Sequence, residues 1–308
     1  MTDIKTKAAE LKTRCLEVMH AMEESDGGGS RANGGMFDHY FDDIPEWFRP
    51  FSNLPDHGQL RSNADTLVQE ACKELNLDWQ APAGYEGGLA NTNPDLAVIK
   101  DIRSNLEGWT GQAAANFRTN YLNRFDQFTK NLYTATYVGY QTLAAEAKLW
   151  ETASRDIHKI ADDARSTVDA MIGVSMGQGF KFVLTSLPSV ISVATAPSKD
   201  LGLTVVKELA GLGSSLTSQE GFAATPASLM QPLKDSIDQL KKDLKDKEQD
   251  IEDALRANLG YLTSHPREYV APEPKEAGAG SAWGMTETDE PGKEQDGEIT
   301  LGEDNREG

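Results

Sequence analysis

Ile4, Ala8, Leu11, Cys15, Met19 and Met22 fall three or four positions apart, the spacing that gathers side chains on one face of a helix, and Gly27-Gly28-Gly29 closes the run. A second amphipathic stretch spans 57–76, with Leu60, Ala64, Leu67, Ala71 and Leu75 on one face. A Pro/Gly-rich break covers Asp78 to Asn91. Asn93-Pro94-Asp95 then reads as a helix start. It offers a capping amide, a proline where the missing N–H costs nothing, and an acid at the positive end of the dipole. Leu96, Ile99, Ile102 and Leu106 line that helix up to Gly108.

The strongest pattern lies beyond this glycine. Thr110 is placed to cap a helix that runs without proline from about Gly111 to Met171. Apolar or small residues recur at 114, 117, 121, 125, 128, 132, 135 and 139, and again at 143, 147, 150, 153, 157, 160, 164, 168 and 171. The stretches 125–139 and 150–164 step by three and four in turn, which is heptad spacing. Such a helix would be about 90 Å long, more than one compact core requires and natural for a helical hairpin or bundle. A further heptad-like helix spans 231–262, with Leu233, Ile237, Leu240, Leu244, Ile251, Leu255 and Leu262. Asp238 with Lys242, and Asp243 with Lys247, have the spacing of supporting ion pairs.

Three segments break this helical pattern. Met36 to Pro55 holds six aromatics between Phe37 and Phe51 and three prolines, too many for one continuous helix. It reads as a loop docked through its rings, with a partner-docking segment as the sharper alternative. Val168 to Leu229 carries only seven charges in 62 residues and is interrupted by glycines. That leaves short packed helices or a mobile, weakly amphipathic region. From His265 onward, 12 acids against 4 bases with Pro and Gly predict a disordered acidic tail.

Composition narrows the chemistry. A net charge of −19 without a basic stripe argues against nucleic-acid binding. Two cysteines, Cys15 and Cys72, are too few for a disulfide framework or a CxxC metal site and read as buried thiols. His39 among Asp38, Asp42 and Asp43 is the one grouping with metal-ligand residue types, set in an otherwise ordinary acidic loop, and the reading is that no metal is bound. The five histidines lie in no HExxH frame, and no Walker A or GxGxxG motif occurs. The expectation is a protein without catalytic residues or cofactor. The charged start MTDIKTKAAELKTR has no apolar core of a signal peptide, and Phe182–Ser198 falls short of a membrane span.

The motif left over is Leu106-Glu107-Gly108-Trp109-Thr110-Gly111, followed by Gln112-Ala113-Ala114-Ala115-Asn116-Phe117. A helix, Gly-Trp-x-Gly, then a long helix with small residues and an early aromatic resembles the WXG family of ESX, or type VII, secretion substrates. The likeness covers about Pro94 to Met171. It implies that Gly108, Trp109 and Gly111 form the turn of an antiparallel hairpin, of the kind that pairs into four-helix bundles. It also implies a Tyr-x-x-x-acid export signal, for which Tyr269-Val270-Ala271-Pro272-Glu273 is the one candidate, with Tyr269 and Glu273 as its defining residues. Unlike small family members, this chain has its turn at 109 of 308, its candidate signal contains a proline, and that signal comes after the 231–262 helix. The indole is expected to fold over Leu106 and Ala113 and bury most of its area, with the flanking glycines letting the backbone reverse.

The fold expected is all-α, an elongated helical bundle built on a long hairpin with a disordered acidic tail. Its parts are an N-terminal helix (1–25), a Gly-rich linker and aromatic docking loop (26–56), a WXG-like hairpin region (57–171), a Gly-rich low-charge segment (172–230), a coiled-coil-like helix (231–264) and the tail (265–308). The function expected is that of a larger, actinobacterial-type, non-enzymatic substrate of a type VII system. It would be secreted by a signal-peptide-independent route from a cytoplasmic pool. The partners implied are a helical protein or a second copy meeting the heptad-like stripes, and recognition by the secretion ATPase. Two rivals stand beside it: a secreted effector acting on membranes through 168–229, and an intracellular coiled-coil scaffold. Membrane contact stays open.

Overall fold

The computed structural model describes residues 3–25, 38–77, 93–106, 108–172, 180–185, 193–197, 204–208, 218–223 and 225–269. The chain divides into two compact units. The first comprises 1–73, 81–90 and 134–264, and the second 74–80, 91–133 and 265–308.

The first unit is a helical bundle. α1 (Ile4–Ser25), the Thr134–Ala170 part of α6 (Asn123–Ala170) and α7 (Pro226–Ser264) share one core. Leu11, Leu149, Ile157, Leu229, Leu233 and Ile237 are among its fully enclosed side chains. Each such residue contributes about 1.5–3 kcal/mol through removal from water. α7 runs back along α6, since Tyr261 and Leu262 near its end pack on Val138. It begins five residues earlier than expected. Ser228 N–H donates to Thr225 Oγ1 at 3.3 Å, and Thr225 N–H donates to Ser228 Oγ at 3.1 Å, a reciprocal cap ahead of Pro226. Along its exposed face Asp238 takes Lys241 and Asp250 takes Lys247, so the pairs form at three residues rather than the expected four.

The aromatic segment is no loop. It folds as a 3₁₀ turn (Asp38–Phe41), α2 (Ile44–Phe48) and a second 3₁₀ turn (Arg49–Asn53), with prolines at the starts of the last two. Phe41, Ile44, Phe48 and Phe51 are buried in the core. Prolines forbid one long helix here but permit short ones, and Pro45 and Pro50 sit at helix starts, where an N–H is dispensable.

α3 (His57–Thr66) continues into a π turn, Leu67–Cys72. A second π turn, Arg118–Leu122, joins α5 (Gln112–Phe117) to α6. The long helix expected from Gly111 to Met171 therefore exists, but not as an uninterrupted α-helix. Each π turn inserts a residue and rotates the downstream residues by about 100°. Cys72 is buried in place of Ala71. Likewise Leu122, Thr129 and Tyr133 are buried in place of Tyr121, Phe128 and Leu132. From Ala153 to Met171 the expected stripe is the buried one.

The packed core is all-α, and the low-charge segment adds two short ladders to it. β1 (Phe180–Thr185) pairs antiparallel with β4 (Ser218–Ala223), and β2 (Val193–Pro197) pairs antiparallel with β3 (Thr204–Glu208). Phe-Lys-Phe-Val-Leu-Thr and Thr-Val-Val-Lys-Glu are rich in the β-branched and aromatic residues that suit a pleated strand, a signal that the low charge obscures. Both ladders lie against α7. The acidic tail beyond Tyr269 lies outside the described residues; its first residues are ordered, in a 3₁₀ turn at Pro266–Glu268.

Candidate functional site

The second unit carries the Gly-Trp-Thr-Gly turn. α4 (Pro94–Asn105) starts as its sequence dictates, with Asn93 Oδ1 accepting from Asp95 N–H at 2.9 Å. The same amide also ties the helix start to the chain at 74–76. Asn93 Nδ2 donates to the Glu74 carbonyl at 2.8 Å, and Asn93 N–H to the Asn76 carbonyl at 2.8 Å. The cap is thus also an anchor, and both Asn76 and Asn93 are buried.

α4 ends at the turn itself, where Trp109 N–H returns to the Leu106 carbonyl at 3.1 Å. Gly111, not Thr110, is the residue at the start of α5, and no side chain caps it. Its carbonyl accepts from Ala115 N–H at 3.1 Å. Gly111 holds φ 97° and ψ 171°, a region that only glycine enters without strain. Gly108 has no positive φ, and a Cβ there would meet nothing within 4 Å. Of the two glycines, only the one after the tryptophan is therefore demanded by the backbone.

Trp109 is 40% exposed, so the residue is more than half covered but not enclosed. Ala113, one of the two residues expected beneath it, is itself exposed. The ring instead meets Phe117 edge-on, with centroids 6.0 Å apart and planes at 76°. Phe117 in turn stacks on Tyr121 at 5.2 Å and 18°. One turn of helix after Gly111 thus supplies the surface on which the indole rests. Arg118 Nη2 fixes the backbone by donating to the Trp109 carbonyl at 3.0 Å. Arg103, near the end of α4, reaches the far side of the π turn. Its Nη1 meets Asp126 Oδ2 at 2.8 Å and its Nη2 donates to the Leu122 carbonyl at 2.7 Å. Periodicity singles out neither Arg103 nor Arg118. A partner 19 to 23 positions from Arg103 leaves no local signal.

Of the candidate export residues, Glu273 lies outside the described residues. Tyr269 is half-buried, with its N–H donating to the Pro266 carbonyl at 3.1 Å. The turn before it is held by buried Asn131, whose Nδ2 donates to the Glu268 carbonyl at 2.9 Å. Asn131 stands fourteen residues beyond Phe117, about 20 Å along the helix, so Tyr269 and Trp109 of one chain are not brought together.

In the first unit His39 does not assemble a metal site. Asp42 is committed to Lys12 Nζ at 2.6 Å as well as to His39 Nδ1 at 3.1 Å, and Lys12 foremost lowers its pKa. Among the described residues no group of three or more His, Cys, Asp or Glu is placed to hold a metal, and no helix is long and apolar enough to cross a membrane. Cys15 and Cys72 are buried free thiols, their pKa values pushed up by burial to about 12 and about 11. A groove of about 610 Å³ runs along the α1–α6 seam, and the acids and bases lining it, Glu10, Arg14, Glu17, Arg165 and Asp169, are paired with one another. The geometry best suited to recognition is therefore the turn, a rigidly held backbone presenting a partly exposed indole. Compared with known protein families, curated proteins and solved structures, the chain matches none.

Proposed function

We propose that this chain is a non-enzymatic helical protein exported by, or associated with, a type VII (ESX-like) secretion system, with the 108–111 turn as a recognition feature. The observation that carries the reading is the state of Trp109. A tryptophan retained only for stability would be enclosed, yet this one is 40% exposed on a turn fixed by Gly111 and Arg118. A large aromatic held at the surface by a preorganised backbone is what a docking site needs, since the ordering cost is met before binding. The resemblance of Gly108-Trp109-Thr110-Gly111 and the helix after it to the WXG pattern supplies the secretion context. Tyr269 and Glu273 serve in this reading as the export signal.

The test compares culture supernatant with lysate for the wild type, Trp109→Ala and Tyr269→Ala in a host carrying such a system. The reading expects the wild type outside the cell and both variants retained, with folding checked by circular dichroism. A chain that never leaves the cell, or leaves equally well in both variants, removes the secretion reading.

A further inference from the structure

In the first unit the facing charges of α1 and α6 stand in parallel register. Lys7 Nζ meets both carboxylate oxygens of Asp162 at 2.7 Å, Arg165 Nη1 meets Glu10 at 2.7 Å, and Arg14 Nε meets Asp169 at 2.5 Å. Every rung joins residues 155 positions apart, so the steps of three and four residues are identical on both helices. One turn further toward the amino end, the same offset sets His158 level with Asp3. Asp3 immediately precedes α1, its carbonyl accepting from Lys7 N–H at 3.1 Å and its Oδ1 from Lys5 N–H at 3.4 Å. The fourth rung thus carries an imidazole where the others carry a permanent charge, and His158 Nδ1 is buried without a hydrogen-bond partner.

We propose that acidification releases the first turns of α1 from α6, with protonation of His158 as the trigger. The charges acting on the ring come from both helices. Burial foremost, then Lys7, hold its pKa below the ordinary value; Asp162 and Asp3 pull the other way. A proton on His158 creates a charge in a partly dry seam, beside Lys7 and the positive end of α1. Opening the seam returns the ring to water. The rungs at Arg165 and Asp169 lie about two and three turns away and keep the rest of α1 in place. The residues uncovered are those buried at the start of the helix, Ile4 and Ala8.

Linkage sets the sign. The closed state holds the imidazole neutral, so its stability is full above about pH 6.5 and declines as pH falls toward the lower closed-state pKa. An open-state imidazole is about nine-tenths protonated at pH 5.5, which caps the loss of closure at roughly tenfold. Hydrogen exchange of the full chain at pH 7.5 and 5.5, corrected for the chemical exchange rate, reads this directly. Protection of the Lys7 and Ala8 amides is expected to fall by roughly three- to tenfold at pH 5.5, while amides from Cys15 to Val18 hold. In His158→Gln the fall disappears. No change in the wild type, a change that survives His158→Gln, or a uniform loss along α1 overturns the proposal. Should the variant not fold, an NMR titration of the wild-type His158 ring decides: a midpoint at or above about 6.5 refutes it, and one below supports it.

Discussion

The two glycines of the turn make opposite predictions, although they look equivalent in the sequence. Gly111 sits at φ 97° and ψ 171°, in a region essentially reserved for glycine, so Gly111→Ala places a Cβ residue in a strained conformation costing about 1–3 kcal/mol. Space is not the obstacle, because a Cβ at 111 would meet nothing within 4 Å. At Gly108 neither obstacle exists, and Gly108→Ala is expected to be neutral or to stabilise by up to about 1 kcal/mol through the unfolded chain. Trp109 lies between them and reports the turn, but it is one of five tryptophans. Labelling with 5-fluorotryptophan resolves it by ¹⁹F NMR, with Trp109→Phe assigning the resonance. Urea titration of that single signal gives the local stability in each variant. The expected order is Gly108→Ala at or above wild type and Gly111→Ala below it by at least about 1 kcal/mol. Equal shifts in the two variants, or a loss under about 0.5 kcal/mol at Gly111, would refute the claim that backbone conformation dictates the second glycine.

Three further predictions concern the first unit. Leu149, with 0% exposure, should cost about 2–5 kcal/mol on replacement by alanine, whereas Leu259→Ala, at a site 63% exposed, should stay within about 0.5 kcal/mol; thermal or urea unfolding separates them. Thr225→Ala removes one half of the reciprocal cap of α7 and should lower stability by about 0.5–2 kcal/mol, with the earliest loss of amide protection at Ser228. Cys15 and Cys72 should resist alkylation at pH 8 in the native protein and react once it is unfolded. Their folded pKa values are raised from near 9 to about 12 and about 11. The contribution of the neutral thiols is therefore intact below about pH 9 and lost as pH rises through the folded values, which a pH series of unfolding midpoints would detect.

How far the fold is legible in the sequence depends on how local its causes are. The Asn93-Pro94-Asp95 start of α4 is written in three adjacent residues, and it forms as written. The stripe from Ala153 to Met171 needs only an unbroken 3.6-residue period, and it is the buried face. Where the buried face differs from the periodic one, the cause is the same in both places. A π turn adds a residue that no periodic pattern announces, and each of the two moves the buried position from one member of an apolar pair to its neighbour, from Ala71 to Cys72 and from Tyr121 to Leu122. At Tyr121/Leu122 and Leu132/Tyr133 both neighbours are apolar or aromatic, so hydrophobicity alone does not distinguish them, and at Phe128/Thr129 it points to the wrong one. The strands are hidden for a different reason. Low charge and frequent glycine mask short β-branched runs whose pairing partners, such as Phe180 with Ala223, lie about forty residues off.

The same contrast governs the turn. Its glycine at 111 follows from conformation, its amide–carbonyl contacts from neighbours within four residues, and all of these are local. The exposure of Trp109 is not, because it depends on where α4 ends relative to the next helix. Arg103 meets that helix at Leu122 and Asp126, well past Phe117, so close pairing begins beyond the first turns of α5. The indole meets Phe117 edge-on, and the residue stays 40% exposed. Had α4 met the first turn of α5 directly, Leu106 would have served as the lid and the tryptophan would be accounted for by burial alone. The Arg103 clamp ties α4 to the π turn and to the start of α6, not to the first turn of α5. It predicts that Arg103→Leu, by freeing α4 to pack nearer the tip, lowers the access of acrylamide to Trp109; undiminished access would show that the exposure has another cause.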